Sequence, residues 1–257
     1  MKTFSLALLV MFSAGLLFAA PLSPIEIDSL SFNSDIIVEA SAQGNPVNGF
    51  NDFADASMNA NGDTFYEVGL NPGAAATGLP INGGLFASAL DSTHIYRLLP
   101  YDDSNALVVG PGESDFLDFV TPAAYRELGI LVASGDGTGS LSVTVNFADG
   151  TNQAFTITSP NWLSTDADAA FIASGRVNLG SRAFKTGATS ARLYEQILNL
   201  ETLGLDGKTV TDLDFLYTGT GNAAIFAISG LVAIPEPSTA MLCGLVGLAA
   251  VARRRPR

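Results

Sequence analysis

Leu141-Ser-Val-Thr-Val-Asn-Phe147, Ala148-Asp-Gly150, then Thr151-Asn-Gln-Ala-Phe-Thr-Ile-Thr158 is the stretch whose reading decides the fold. Leu141, Val143, Val145 and Phe147 alternate with Ser142, Thr144 and Asn146. A period of two puts one face of a strand in a core and the other in water. The Ala-Asp-Gly turn leads into Phe155 and Ile157, flanked by Thr156 and Thr158, so the segment predicts a β-hairpin. Working outward, the same signals recur at Ile25–Ile27, Ile36–Glu39, Thr64–Val68, Ile95–Leu99, Ala106–Val109 and Phe116–Val120. They continue at Tyr125–Val132, Leu193–Leu200, Val210–Tyr217 and Ala224–Val232. Asn61-Gly62, Asn82-Gly83, Asp136-Gly137 and Asp206-Gly207 punctuate them as turns. No repeat of fixed period interrupts the pattern. The expectation is an all-β fold, an antiparallel two-sheet sandwich with a jelly-roll-like layout. One short helix is expected around Asp166–Ser174, and Gly69 to Gly84 is expected as a long surface loop.

The chain has 257 residues and a formal charge of −13. Setting aside residues 1–20 and 234–257 removes five of the 12 basic side chains and one of the 25 acidic ones, leaving a body charge of −17. Such a surface excludes general affinity for nucleic acid or anionic lipid, which need Lys/Arg-rich faces. Clustered carboxylates leave room for a structural Ca²⁺, and no other cofactor is implied. The sole cysteine, Cys243, lies near the C-terminus, so residues 21–233 hold no disulfide and must rest on their core.

The two ends carry addresses. Lys2 followed by the apolar run Phe4 to Phe18 has the layout of a secretory signal peptide, ending near Ala19 or Ala20. At the other end Pro235, Glu236 and Pro237 precede an apolar run from Ala240 to Ala252, and Arg253, Arg254, Arg255 and Arg257 follow. As a helix, Ser238 to Ala252 would rise about 22 Å, short of a hydrocarbon core of roughly 30 Å. Arginines that snorkel to the headgroups help so short a transmembrane helix reach. They also set it with the tail in the cytoplasm and the body outside. Motif, helix and basic tail, in that order, resemble the PEP-CTERM sorting signal of Gram-negative bacteria. The resemblance implies an exported protein tethered transiently to the inner membrane and recognised by an exosortase. From there it would pass to the cell surface or an exopolysaccharide matrix. The domains expected are therefore a signal peptide at 1–20, a β-sandwich body at 21–233 and a sorting signal at 234–257.

A second resemblance lies inside the body. Tyr125-Arg-Glu-Leu-Gly-Ile-Leu-Val-Ala-Ser134, the hairpin with Phe147-Ala-Asp-Gly150, and Pro160-Asn-Trp162 look like the middle of a galactose-binding-like jelly roll. Such domains serve as carbohydrate-binding modules and as accessory domains of glycosidases. The resemblance implies loops that hold a sugar or a structural Ca²⁺.

Catalytic motifs are scarce. His94 is the only histidine, which excludes His-based zinc clusters and leaves a Ser-His-Asp triad only through that residue. No Gly-x-Ser-x-Gly elbow and no phosphate-cradling Gly-x-x-x-x-Gly-Lys occurs. Carboxylate neighbours remain: Asp102/Asp103, Asp115/Asp118, Asp166/Asp168 and Asp212/Asp214. A glycosidase needs two acids at a set separation, one of them kept protonated. On a strand, Asp212 and Asp214 share a face opposite Leu213 and Phe215, as solvated residues do. For sugar binding the candidates are Trp162, read either as a displayed stacking platform or as a core plug, and Tyr101 with Asp102 and Asp103 as a polar rim. The favoured expectation is a non-catalytic exported protein whose body binds carbohydrate. The alternative is a secreted carbohydrate-active enzyme using a carboxylate pair.

Overall fold

The computed structural model describes residues 21–42, 54–70, 78–165, 167–185 and 189–233. The expected signal peptide, the sorting tail with Pro235, Glu236, Pro237 and its four arginines, and Asp166 lie outside the described residues. Fifteen strands are described: β1 Ser23–Pro24, β2 Ile37–Val38, β3 Asp63–Tyr66, β4 Gly84–Ala87, β5 Ile95–Leu98, β6 Leu107–Val109, β7 Ser114–Ser134, β8 Gly139–Phe147, β9 Asn152–Ser159, β10 Phe171–Ile172, β11 Val177–Asn178, β12 Ala183–Phe184, β13 Arg192–Asn199, β14 Thr209–Thr218 and β15 Ala223–Val232. Helix among the described residues is limited to 3₁₀ turns at Ser29–Ser31, Ala40–Ala42 and Glu201–Leu203. The fold is all-β.

The long strand β7 organises the molecule, because it belongs to two antiparallel sheets. Its first half pairs with β14, which pairs in turn with β8, and β8 with β9. Its second half runs between β13 and β15, and β15 also carries β1 and β6. Two strands were expected at Phe116–Val120 and Tyr125–Val132; they are one continuous element. Pro122 breaks the local signal, yet it falls where the β7–β14 register jumps from Asp118 to Ala123. A proline is tolerated there because no ladder hydrogen bond is asked of it.

The two sheets enclose one core. Leu117, Leu128, Ile130 and Val132 of β7 meet Leu141, Val143 and Val145 of β8, Leu213 and Phe215 of β14, and Ile225 and Ile228 of β15. The strands β7 and β15 also present a second apolar face: Leu131, Ala133, Ala224, Phe226 and Ala227 pack against Phe65, Tyr96, Leu98 and Trp162. An outer layer thus covers the sandwich on one side. It consists of the β4–β5 hairpin and the small sheet β12-β11-β3-β2. The physical reason lies in β15, where Ala223 to Gly230 is buried at every position. A strand buried on both faces reads as a continuous apolar run rather than an alternation. Asp63 clamps the outer layer: it accepts from Arg176 Nε at 2.7 Å, Lys185 Nζ at 2.5 Å and Asn178 Nδ2 at 2.8 Å. Burial opposes its ionisation, but these hydrogen bonds outweigh it and hold the carboxyl below the ordinary Asp range.

Two expectations need correction. The segment expected as a helix around Asp166–Ser174 instead contributes β10, which pairs with β13. The segment expected as a surface loop from Gly69 to Gly84 is anchored where it is described. Leu79 is fully buried, bridges to Glu67 and donates its N–H to the Tyr66 carbonyl at 2.9 Å. Gly84 then opens β4 after an Asn82-Gly83 turn with both φ angles positive, +50° and +70°, the turn chemistry that pair favours.

Candidate functional site

The chain runs from β1 along the edge of β15, where Ile25 N–H donates to the Ile228 carbonyl at 3.0 Å. Ile27 then bridges to Phe119, and Asp28 Oδ1 caps the Ser29–Ser31 turn by accepting from Leu30 N–H at 3.0 Å. Facing this segment, Leu99 and Pro100 follow the end of β5. Between the two lies a cleft of about 650 Å³ with Arg97, Glu26 and Asp28 among its lining. A second cleft of about 420 Å³ continues it, sharing Ser29, Phe32, Leu99 and Pro100 and adding Asp102 and Asp103. The combined groove has an apolar floor and few charged groups at its rim, the usual make-up of a small-ligand site.

The sequence candidates fall into two groups. Asp102 and Asp103 are exposed at the mouth of this groove, and Asp103 Oδ1 accepts from Ser104 N–H at 2.8 Å. Trp162 and Tyr101 are fully buried. The indole packs edge-on to Phe65 with ring centroids 5.2 Å apart, so Trp162 takes the place of the core plug and offers no face to a pyranose. Tyr101 lies beneath the rim with its hydroxyl near Glu67 and the Gly83 N–H, and burial pushes its phenol up.

None of the other described acidic neighbours lines the groove, although Asp118 accepts the Asp28 N–H on its carbonyl at 2.9 Å. Asp212 and Asp214 do share a face of β14, where Asn146 Nδ2 donates to both, at 2.5 and 2.8 Å. Asp118 stands opposite Asp212 across the β7–β14 ladder. Burial first, then the charges of Asp212, Asp28 and Asp214, push the Asp118 carboxyl up. Asp115 is tied to Asn33 Nδ2 at 3.0 Å. Among the described residues, no group of three or more His, Cys, Asp or Glu side chains is placed to hold a metal ion.

His94 sits in the loop between β4 and β5, its Nδ1 2.7 Å from Glu195 Oε1. Tyr96 donates to the same oxygen at 2.6 Å, and Ser88 Oγ donates to Glu195 Oε2 at 3.1 Å. Glu195, its side chain 4% exposed, is therefore the hub that fastens the β4–β5 hairpin to β13. Sequence reading passed over it, because a glutamate within Leu193–Leu200 looks like any solvated strand position. Arg97 and Asp28 were passed over too. Their juxtaposition arises from chain segments about seventy residues apart, and neither carries a local motif.

Among known proteins, no family model and no curated sequence matches this chain.

Proposed function

We propose that this is an exported protein sorted by its C-terminal signal to the cell surface or an extracellular polysaccharide layer, with a sandwich body that binds carbohydrate without turning it over. The observation that carries the reading is the pairing of two addresses on one chain. An export-type leader stands at 1–20, and Pro235-Glu236-Pro237 stands before an apolar run and Arg253, Arg254, Arg255 and Arg257. The partner this implies is an exosortase-type enzyme at the inner membrane. Nucleic acid is not a partner of so acidic a body.

The body is read as a jelly roll, and its strand order supports that. One sheet runs β1-β15-β7-β13 and the other β7-β14-β8-β9, with β7 passing from one to the other. For carbohydrate, the support is the groove. Leu85, Val120 and Pro100 supply exposed apolar surface for the C–H face of a sugar, while Asp28, Arg97, Asp102 and Asp103 offer hydrogen bonds to its hydroxyls. The enzymatic alternative would draw on Asp118, Asp212 and Asp214. Against it, the Asn146 amide already engages an oxygen of Asp212 and one of Asp214, and none of the three carboxylates lines the groove.

A glycan array probed with the full-length chain tests the binding half. Wild type should retain a defined subset of glycans, and Asp102→Ala/Asp103→Ala should lose them with an unchanged melting temperature. Release of sugar from a bound glycan would instead establish the enzymatic alternative, and wild-type protein that retains nothing would end the carbohydrate reading.

A further inference from the structure

The strand β9 is the outermost strand of its sheet, and among the described residues no strand pairs with its far edge. It pairs with β8 from Gly139↔Ser159 to Asn146↔Asn152 without a register shift. The hairpin is closed by Phe147 N–H donating to the Thr151 carbonyl at 2.9 Å, which fixes the phase of the ladder. Alternate residues of an antiparallel strand exchange both their hydrogen bonds with the same neighbour. Gln153, Phe155, Ile157 and Ser159 therefore bond to β8. Asn152, Ala154, Thr156 and Thr158 aim their N–H and C=O groups outward. Of these outward groups, only the Ala154 carbonyl has a partner among the described residues, the Gln153 side-chain amide at 2.8 Å. All four outward residues are exposed.

Natural sheets blunt such an edge with lysine, proline, a bulge or a short strand. The strand β9 has eight residues, Asn-Gln-Ala-Phe-Thr-Ile-Thr-Ser, with none of these devices. Neither β8 nor β9 contains a charged residue, in a chain of net charge −13. Two copies of so acidic a chain repel one another across most of their surfaces. Across this edge they meet without like charges.

From the open, uncharged and self-complementary edge we infer that β9 is a self-association site whose occupant is β9 of a second copy of this chain. A two-fold axis sets the strands antiparallel, with Asn152 opposite Thr158 and Ala154 opposite Thr156 of the second copy. All four outward residues of each copy are then paired, making on the order of eight backbone hydrogen bonds. Two four-stranded sheets, each ordered β7-β14-β8-β9, become one continuous sheet. Facing Thr and Asn side chains add cross-strand hydrogen bonds. An edge contact of this kind is small, so the association is weak and concentration-dependent. In a crowded surface layer that suits reversible packing.

Sedimentation velocity of the full-length chain in mild detergent, over about a hundredfold range of concentration, tests this. Wild type should shift from monomer to dimer, and the outward amides of Ala154, Thr156 and Thr158 should gain hydrogen-exchange protection as it does. Thr156→Pro removes one outward N–H and leaves the bonds to β8 intact. Thr156→Lys brings two like charges to the axis. Each should weaken dimerisation at least about tenfold with little change in melting temperature. Should the proline variant fold poorly, the lysine variant still decides. A wild type that stays monomeric throughout overturns the inference, which would leave the edge to some other extended strand. A dimer that survives Thr156→Lys, or that leaves those three amides unprotected, overturns it as well.

Discussion

Trp162 shows where local sequence stops informing at the residue scale. Pro160 and Asn161 mark a turn, and a tryptophan after a turn can face either way. What turns this one inward is long-range. Its N–H donates to the Ser134 carbonyl at 2.8 Å, and its carbonyl accepts from Arg192 N–H at 2.8 Å, so it is stitched between the ends of β7 and β13. Replacing it with alanine should cost about 3–5 kcal/mol in urea denaturation, the range for emptying a buried aromatic site. The phenylalanine variant should retain most of the stability, because the indole N–H has no hydrogen-bond partner among the described residues. Asp35 makes a second residue-scale prediction. Burial pushes its carboxyl up to about 7, and the nearby charges of Glu39 and Asp55 add to that, against the opposing hydrogen bond from Asn105. Its ordinary value is 3.8, so between about 4 and 7 the folded chain holds a proton that the unfolded chain has lost. Stability from this site is full below that window, falls as the pH rises through it and is level above. In Asp35→Asn the fall should be visibly shallower when melting temperature is followed against pH. An unaltered slope would remove Asp35 as its source.

At the scale of elements, the β8–β9 hairpin was readable because one face is wet and one dry, and the alternation is written in adjacent residues. The second half of β7 and Ala223 to Gly230 of β15 were readable as strand but not as doubly buried, since the layer that covers them is assembled from distant segments. The strand β2 falls within the expected Ile36–Glu39, whereas the two-residue strands β10, β11 and β12 left no readable pattern. They exist through partners such as Asp63 with Arg176 and Lys185, more than a hundred residues away. The groove has the same character: Asp102-Asp103 could be found as a pair, whereas Asp28 and Arg97 join them only through the fold. The close fit of the outer layer can be tested at Gly129 on β7. A Cβ there would meet the Tyr96 hydroxyl and lie 2.7 Å from Leu22 Cδ1. Since Tyr96 also donates to Glu195, Gly129→Ala should force both contacts to shift, costing about 1–3 kcal/mol in thermal denaturation. Gly207→Ala, where nothing lies within 4 Å, is the matched control and should stay within about 0.5 kcal/mol of wild type.

In the whole molecule, a sandwich that rests on its own core lies between two terminal segments whose sequences are proposed as addresses. The core of β7, β8, β14 and β15 involves no cysteine, so residues 21–233 need no oxidising step to fold. On the proposed reading, the groove and the β9 edge would act on the far side of the membrane, one toward polysaccharide and the other toward further copies of the chain. All of this depends on the C-terminal signal being read. Intact-mass spectrometry of the protein recovered from the surface fraction of an exosortase-bearing Gram-negative host is the most direct test. The recovered chain should have lost Arg253, Arg254, Arg255 and Arg257, whether by cleavage or by transfer, and should keep them when the exosortase is deleted. A chain with its C-terminal arginines intact in the exosortase-bearing host would contradict it.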